Sequence, residues 1–426
     1  MPNALPENYT DFVVRRVESL VENQLLFEME CPGYTSFMKN SRSYPITQKG
    51  FQIPFFETVP GQITGYTAAN TSFNDYVPSQ GISMYIFPTY LAMPMIFAGP
   101  TINMLQSGAD DKVTSFGDVI TQHVTEFKKR LEQIVVGDGT GSMAYANSTV
   151  STLGSQTFTG TTAASTTAGQ TKGASWLRKN HFYQAINTTT GLPRGTFQVT
   201  TPAAPGAATC TVNLLQGSWS SGDPIVEPGC YLRVPNGLAK LISNANQTLQ
   251  ALSTSANPNL KCYEYDLANN LCTPATFNFV KTALQMKSNE MSAENQLMCY
   301  CTSNFYSILK AQGWNLTIQS LTETTGVQKR YSDGDTAFVL MTDMDDDRAY
   351  LFRANALPNW EEKKLGVLNF DGQEWRMLFG DNGTGSDSYQ RALGMAFQMG
   401  IVTPRRATYI KRALTTGTQT QVAVGA

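Results

Sequence analysis

One stretch constrains this chain more than any other. From Asp111 to Val136, Val113, Phe116, Val119, Ile120, Val124, Phe127, Leu131, Ile134 and Val135 recur at three- and four-residue steps. That spacing puts them on one face of an amphipathic helix. Asp110 and Asp111 stand at its start and Gly137 just past its end, the asymmetry expected of a capped helix. About 26 residues at 1.5 Å rise span roughly 39 Å, against a mean helix of about 11–12 residues. A helix of this length with only one apolar face acts as a strut.

The flanking segments share the same character. Before the helix lies a long, open β-hairpin pattern with little chain of its own to pack against. Phe51, Ile53 and Phe55 alternate on the outward run, and Ser83 to Phe97 is the return, with Tyr85, Phe87, Leu91, Met93 and Met95. Pro54, Pro88 and Pro94 interrupt these runs. Proline donates nothing to a ladder, so the segments read as edge-like or two-stranded. The tip, Thr58 to Gln80, is rich in Gly, Thr, Asn and Ser, and a loop of that length is usually functional or mobile. After the helix comes Gly137-Asp138-Gly139-Thr140-Gly141-Ser142-Met143-Ala144.

The rest divides by pattern. Residues 1–47 read as an arm, with a helix-like stretch from Asn8 to Met29. Residues 145–176 are low-complexity Ser, Thr, Gly and Ala, for which a flexible loop is the expectation. Residues 177–344 suggest a mixed domain with a βαβ-like sheet. Thr273-Pro274 opens a helix lined by Phe277, Val280, Leu284 and Met291; Gln296 to Cys301 is a strand; a second helix runs from Ser303 to Gln312 and closes at Gly313. Beyond 345 the chain returns to β. Val367 to Phe370 and Glu374 to Phe379 flank Asp371-Gly372, a hairpin signal. Met395–Val402 and Thr408–Arg412 are further strands, and the tail after Leu414 is polar.

Composition narrows the function. The 426 residues suggest two or three compact units. Hydrophobic residues make up 41%, enough for a core, while charged residues make up 15%, low against a usual ~25%. A poorly charged surface suits a protein buried in contacts with copies of itself. A net charge of −2 supplies no field for gripping nucleic acid. The seven cysteines include no CxxC. Cys299 and Cys301 share one face of a strand and do not readily bond each other, so reduced, buried thiols are expected. Several Asn-x-Ser/Thr matches are chance expectations in a chain rich in Asn and Thr, and Met1 to Pro6 shows no signal-peptide pattern. No apolar run is long enough to span a bilayer.

Catalytic chemistry finds little footing. The two histidines, His123 and His181, have no flanking nucleophile signature. The glycine phrase is not a phosphate cradle, because it follows a helix instead of joining strand to helix and lacks Gly-Lys-Ser/Thr; it reads as a helix-ending turn. Asp343-Met344-Asp345-Asp346-Asp347 offers carboxylates to a hard cation, yet lacks EF-hand spacing and reads as a solvated acidic turn. No catalytic, cofactor-binding or metal residues are assigned, and no enzyme is expected.

The order of these parts resembles the major capsid proteins of tailed bacteriophages, whose fold is the Hong Kong 97-like capsid fold. Val136-Gly137-Asp138-Gly139-Thr140-Gly141 is similar to a phrase that follows that family's spine helix. Ser221-Gly222-Asp223-Pro224-Ile225-Val226, followed by Asn236-Gly237-Leu238-Ala239-Lys240-Leu241-Ile242, resembles a stretch of its axial domain. The resemblance covers nearly the whole chain. It implies an α+β fold with an N-terminal arm (1–47), an extended loop (48–82), a peripheral domain (83–150 and 345–403, spine helix about 111–136) and an axial domain (151–344 and 404–426). It further implies pentamers and hexamers closing an icosahedral shell around double-stranded DNA in the virion, after assembly in the host cytoplasm.

Expected partners are copies of the chain, a portal protein, a separate scaffolding protein and cement proteins, with packaged DNA enclosed without sequence-specific contact and no membrane. Some members weld subunits through a lysine in the extended loop. Here Thr58 to Gln80 has no lysine and Lys49 stands only at the base, so no such crosslink is expected. Because the chain begins almost at the arm, any scaffold should be separate. Phe55, Phe56 and Tyr66 are the candidate inter-subunit anchors. The rival readings are an encapsulin-like non-viral shell and a β-rich tail or adhesion protein; the latter would form trimeric fibres and lack a long single helix.

Overall fold

The computed structural model describes residues 33–34, 36–37, 43–46, 49–56, 81–98, 110–161, 173–204, 207–288, 297–312, 317–323, 326–333, 336–341, 343–368, 376–379 and 385–413. The expected helix at Asn8–Met29, the hairpin tip and the polar tail lie outside these residues.

Strand β1 (Ser43–Pro45) leads into β2 (Phe51–Phe56), which pairs antiparallel with β3 (Gly81–Ile86), Phe51 opposite Ile86 and Phe56 opposite Gly81. This is the expected hairpin, but its return strand is not continuous. After Phe87-Pro88 the chain starts a new strand, β4 (Thr89–Ala98), which leaves the ribbon and pairs with a different sheet. The proline supplies the break, since it has no N–H to continue the ladder. Nor is the base of the ribbon without support. Ile53, Met84 and Ile86 are buried against Ile46, Leu260 and Trp360.

Helix α1 (Asp110–Val136) follows, close to its expected bounds. Ile120, Val124, Phe127, Leu131 and Val135 are at most 4% exposed. Its buried arc is wider than the apolar stripe, however, because Lys128, Glu132 and Gln133 are also buried. The expectation of a single covered face fails because other segments lie over that side.

The chain then builds a closed barrel. Strands β5 (Ser142–Ala146), β6 (Gly154–Thr161), β7 (Phe182–Ile186), β8 (Pro193–Thr201), β9 (Thr209–Gly217) and β10 (Pro224–Val226) close in the order β10-β5-β6-β9-β8-β7. Residues 145–161, expected as flexible loop, are therefore largely strand. One aromatic is enough to explain it: Phe158 is fully buried, with ring centroids 5.6 Å from Phe197 and 5.8 Å from Trp219. The small polar residues around it leave room for those neighbours.

Helix α2 (Leu238–Leu241) and the two-stranded β11 (Thr248–Leu249) and β12 (Leu252–Ser253) lead to a seven-stranded sheet. It comprises β13 (Tyr263–Asp266), β14 (Leu297–Thr302), β15 (Thr317–Glu323), β16 (Gly326–Asp333), β17 (Thr336–Met341), β18 (Ala349–Arg353) and, after the second sheet, β22 (Ala407–Lys411). Helix α3 (Pro274–Ser288) precedes β14 and α4 (Ser303–Ala311) follows it. β14 and β17 run parallel, but the connection between them holds the antiparallel strands β15 and β16 as well as α4, so the expected βαβ-like unit is met only in its parallel pair and helix.

Strand β14 divides the interior. Met298 and Tyr300 join the core around α1, while Leu297, Cys299 and Cys301 pack with Phe277 of α3 and Phe305 of α4. A strand covered on both faces reads as a continuous apolar run. Thr302 ends it and caps α4, accepting the Phe305 N–H at 3.2 Å.

The second sheet contains β19 (Asn359–Leu368), β20 (Arg376–Phe379) and β21 (Gly385–Met399), with β1 and β4. The Asp371-Gly372 turn lies outside the described residues; among those described, β19 and β20 do not pair with each other and each pairs with β21. The 15-residue β21 is long enough to serve both. The core face of this sheet carries Met95, Leu393, Met395 and Phe397 against the α1 side.

Candidate functional site

The end of α1 is where the two most distinctive sequence phrases meet. Asp138 accepts the Thr140 N–H at 2.9 Å, and the Ser142 N–H donates to the Thr140 hydroxyl at 3.2 Å, so the phrase forms its own compact turn. Gly139 and Gly141 have φ of +76° and +80°, conformations that side-chain-bearing residues rarely adopt. A Cβ on Gly141 would lie 2.7 Å from the Cys230 carbonyl oxygen.

Across the turn, the second phrase supplies the close approach. A Cβ on Gly237 would lie 2.3 Å from the Gly137 oxygen and 2.4 Å from that of Ile134. The Leu232 N–H donates to the Thr140 oxygen at 2.9 Å. The turn is thus the joint that fixes α1 to the segment after the barrel. A helix C-terminus presents carbonyl oxygens and the negative end of the dipole, and Asp138 adds another negative group. The geometry opposes phosphate binding.

Ion pairs extend the joint. Arg130 meets Glu227 at 2.8 Å, and Arg178 pairs with Glu126, tying α1 to segments on either side of the barrel strands. His181 stacks on Tyr183, with ring centroids 6.5 Å apart. Burial lowers its pKa against the pull of Glu227, and Arg178 and Arg130 lower it further.

The thiols are equally quiet. The six described cysteines are free. Burial pushes the thiols of Cys210, Cys262 and Cys272 up to about 12, so they hold their protons at neutral pH and are poor nucleophiles.

The acidic run from Asp343 lies between β17 and β18. Burial raises the Asp347 carboxyl, while neighbouring Arg348 lowers it. The Asp347 side chain is 36% exposed and lies 3.6 Å from Arg348, so the turn is partly solvated. Among the described residues, no three or more His, Cys, Asp or Glu side chains are grouped to hold a metal ion. Nor, among them, is any helix long and apolar enough to cross a membrane.

The candidate anchors fall at the edge of the description. Phe55 and Phe56 stand in β2 opposite Ile82 and Gly81; their side chains, and all of Tyr66, lie outside the described residues. The ribbon's base shows aromatic packing the sequence reading missed. Tyr44, Phe51 and Trp360 form a mutual cluster with ring centroids 5.9–6.2 Å apart. Tyr44 reaches Trp360 because β1 runs parallel to β19 with these residues in register. No local pattern links positions so far apart in sequence.

No protein-family model matches the chain, and no curated protein matches it. Solved structures do. The cyanophage A-1(L) capsid asymmetric unit aligns over 91% of this chain and 93% of that chain, with a TM-score of 0.52 at 10% identity. The chain shares that capsid protein's fold. The capsid of a native GTA particle aligns over 89% and 90% of the two chains, with a TM-score of 0.43 and 9% identity. The Mycobacterium phage Patience structure aligns over 96% and 89%, at 0.42 and 9%.

Proposed function

We propose that this chain is the major capsid protein of a tailed bacteriophage, a structural protein with the Hong Kong 97-like fold. The observation that carries the reading is the fold shared with a cyanophage capsid protein over 91% of this chain. The joined glycine phrases, the 27-residue α1 and the two-stranded ribbon support it.

In this reading α1 is the spine helix. Residues 48–82 are the extended loop, 83–150 with 345–403 the peripheral domain, and 151–344 with 404–426 the axial domain. Copies of the chain form pentamers and hexamers of an icosahedral head that encloses double-stranded DNA without sequence-specific contact. Assembly takes place in the host cytoplasm, with a portal, a separate scaffold and cement proteins as further partners. The loop reaches a neighbouring subunit by its exposed strand edges, with Phe55, Phe56 and Tyr66 as anchors. Each contact need only be modest, because a closed shell repeats it and several neighbours hold each subunit. With no lysine between Thr58 and Gln80, subunits stay uncrosslinked through the loop.

Negative-stain microscopy of the purified protein tests this. Closed shells with five- and six-fold capsomers are expected. Fibres, or only small oligomers under conditions where related shells form, would refute it.

A further inference from the structure

The base of the ribbon rests on a strained turn. Strands β11 and β12 pair Leu249 with Leu252, which leaves Gln250 and Ala251 as a two-residue turn. Both have positive φ, +50° and +68°. A two-residue hairpin of this kind favours Asn-Gly, the pair that adopts the conformation readily. Glutamine and alanine instead bring a Cβ too close to the following carbonyl oxygen, so the turn stores strain. Such strain persists only where the surroundings over-determine it.

Those surroundings are the ribbon and the second sheet. Tyr85 of β3 stands opposite Gln52 of β2, yet its N–H donates outside the ribbon, to the Gln250 oxygen at 3.0 Å. Gln250 is buried, and Leu252 packs against the cluster that holds Ile53, Met84, Ile86 and Trp360. Gly400, just past β21, leaves the space for this contact. A Cβ there would lie 2.5 Å from Gln250 Nε2 and 2.6 Å from both Ile86 Cδ1 and Trp360 Cζ3. The other end of the hairpin is closed separately: the Thr254 N–H donates to the Gln247 oxygen and its hydroxyl to the Ala245 oxygen, each at 2.9 Å.

We propose that the Gln250–Ala251 turn is a strain-loaded stop that sets the direction of the ribbon. A two-stranded ribbon is marginal on its own, so the contacts at its base decide where it points. With the ribbon docked, the Tyr85 bond and the burial of Gln250 hold the turn in its left-handed conformation. With the ribbon lifted, the turn loses that support and its tip relaxes, while Thr254 keeps the base of the hairpin closed. The strain therefore works against docking, and the ribbon is held in one position without being locked there. This attachment lies within one subunit and stands whether or not copies of the chain close into shells.

Hydrogen exchange of the full-length protein tests this at two amides, Tyr85 for docking and Thr254 for the hairpin base. Ala251 is exposed, so Ala251→Gly removes strain and little packing. Tyr85 protection should rise by about fivefold or more, with Thr254 unchanged. Gly400→Ala drives a methyl group between Gln250, Ile86 and Trp360, so Tyr85 protection should fall by about fivefold or more, again with Thr254 unchanged. An unchanged Tyr85 amide in either variant would overturn the proposal. So would parallel changes at both amides, which would mean a hairpin made more or less stable as a whole. Should Gly400→Ala fail to fold, Ala251→Gly carries the test alone, since glycine suits the positive φ at that position.

Discussion

Strands β14 and β4 are both rich in apolar residues, yet they do different work. β14 lies between β17 and β18, and none of its six residues is more than 3% exposed. β4 pairs only with β21 among the described strands, and its neighbouring residues Met95 and Ile96 are 0% and 60% exposed. One strand has a core on each face, the other a core on one face and solvent on the other. The contrast separates what holds the subunit together from what the subunit leaves available.

The largest expected effect lies at the centre of β14. Tyr300→Ala removes a fully buried ring that packs 5.1 Å from Phe352, together with the hydroxyl that holds the Gly33 oxygen. Truncating a buried aromatic typically costs about 3–5 kcal/mol, and here a lost hydrogen bond is added. Denaturant unfolding should show a loss in that range. A loss below about 1 kcal/mol would mean that β14 is not the two-sided core its burial describes.

The same contrast explains what could be read from the sequence. α1 was legible because nine apolar residues keep helical period over its length, and β14 because a doubly covered strand must be apolar throughout. The glycine phrase was legible as a turn because it follows a helix and lacks Gly-Lys-Ser/Thr, and the positive φ of Gly139 and Gly141 agrees with that reading. The barrel was not: β6 contributes one large apolar residue, Phe158, and its partners Phe197 and Trp219 come from elsewhere in the chain. The pairing of β19 and β20 with β21 was hidden by a good local turn signal between them. Glu132 was hidden for another reason. A charge beside an apolar stripe reads as a solvent-facing residue, and nothing local announces that residue 33 will cover residue 132.

On β4 itself the two faces can be compared one residue apart. Met95 is fully buried in the core that includes Leu131 and Phe397. Met95→Ala should cost about 2–5 kcal/mol, toward the lower end if the flexible neighbours Leu91 and Met93 close on the space. A cost under about 1 kcal/mol would show that the α1-facing side of this sheet is loosely filled.

Ile96 supplies the smallest effect and the sharpest contrast. Its side chain is 60% exposed opposite Gln390 on β21. Replacing it with Ser removes little buried area, and β4, as an edge, does not need the branched side chain to fill space between sheets. Exposed substitutions away from special features usually stay within about 0.5 kcal/mol. The unfolding midpoint of Ile96→Ser should therefore match wild type within that margin while Met95→Ala does not. Equal losses at both positions would mean that the outer face of β4 is covered in the folded subunit, and the distinction between a two-sided and a one-sided strand would fail.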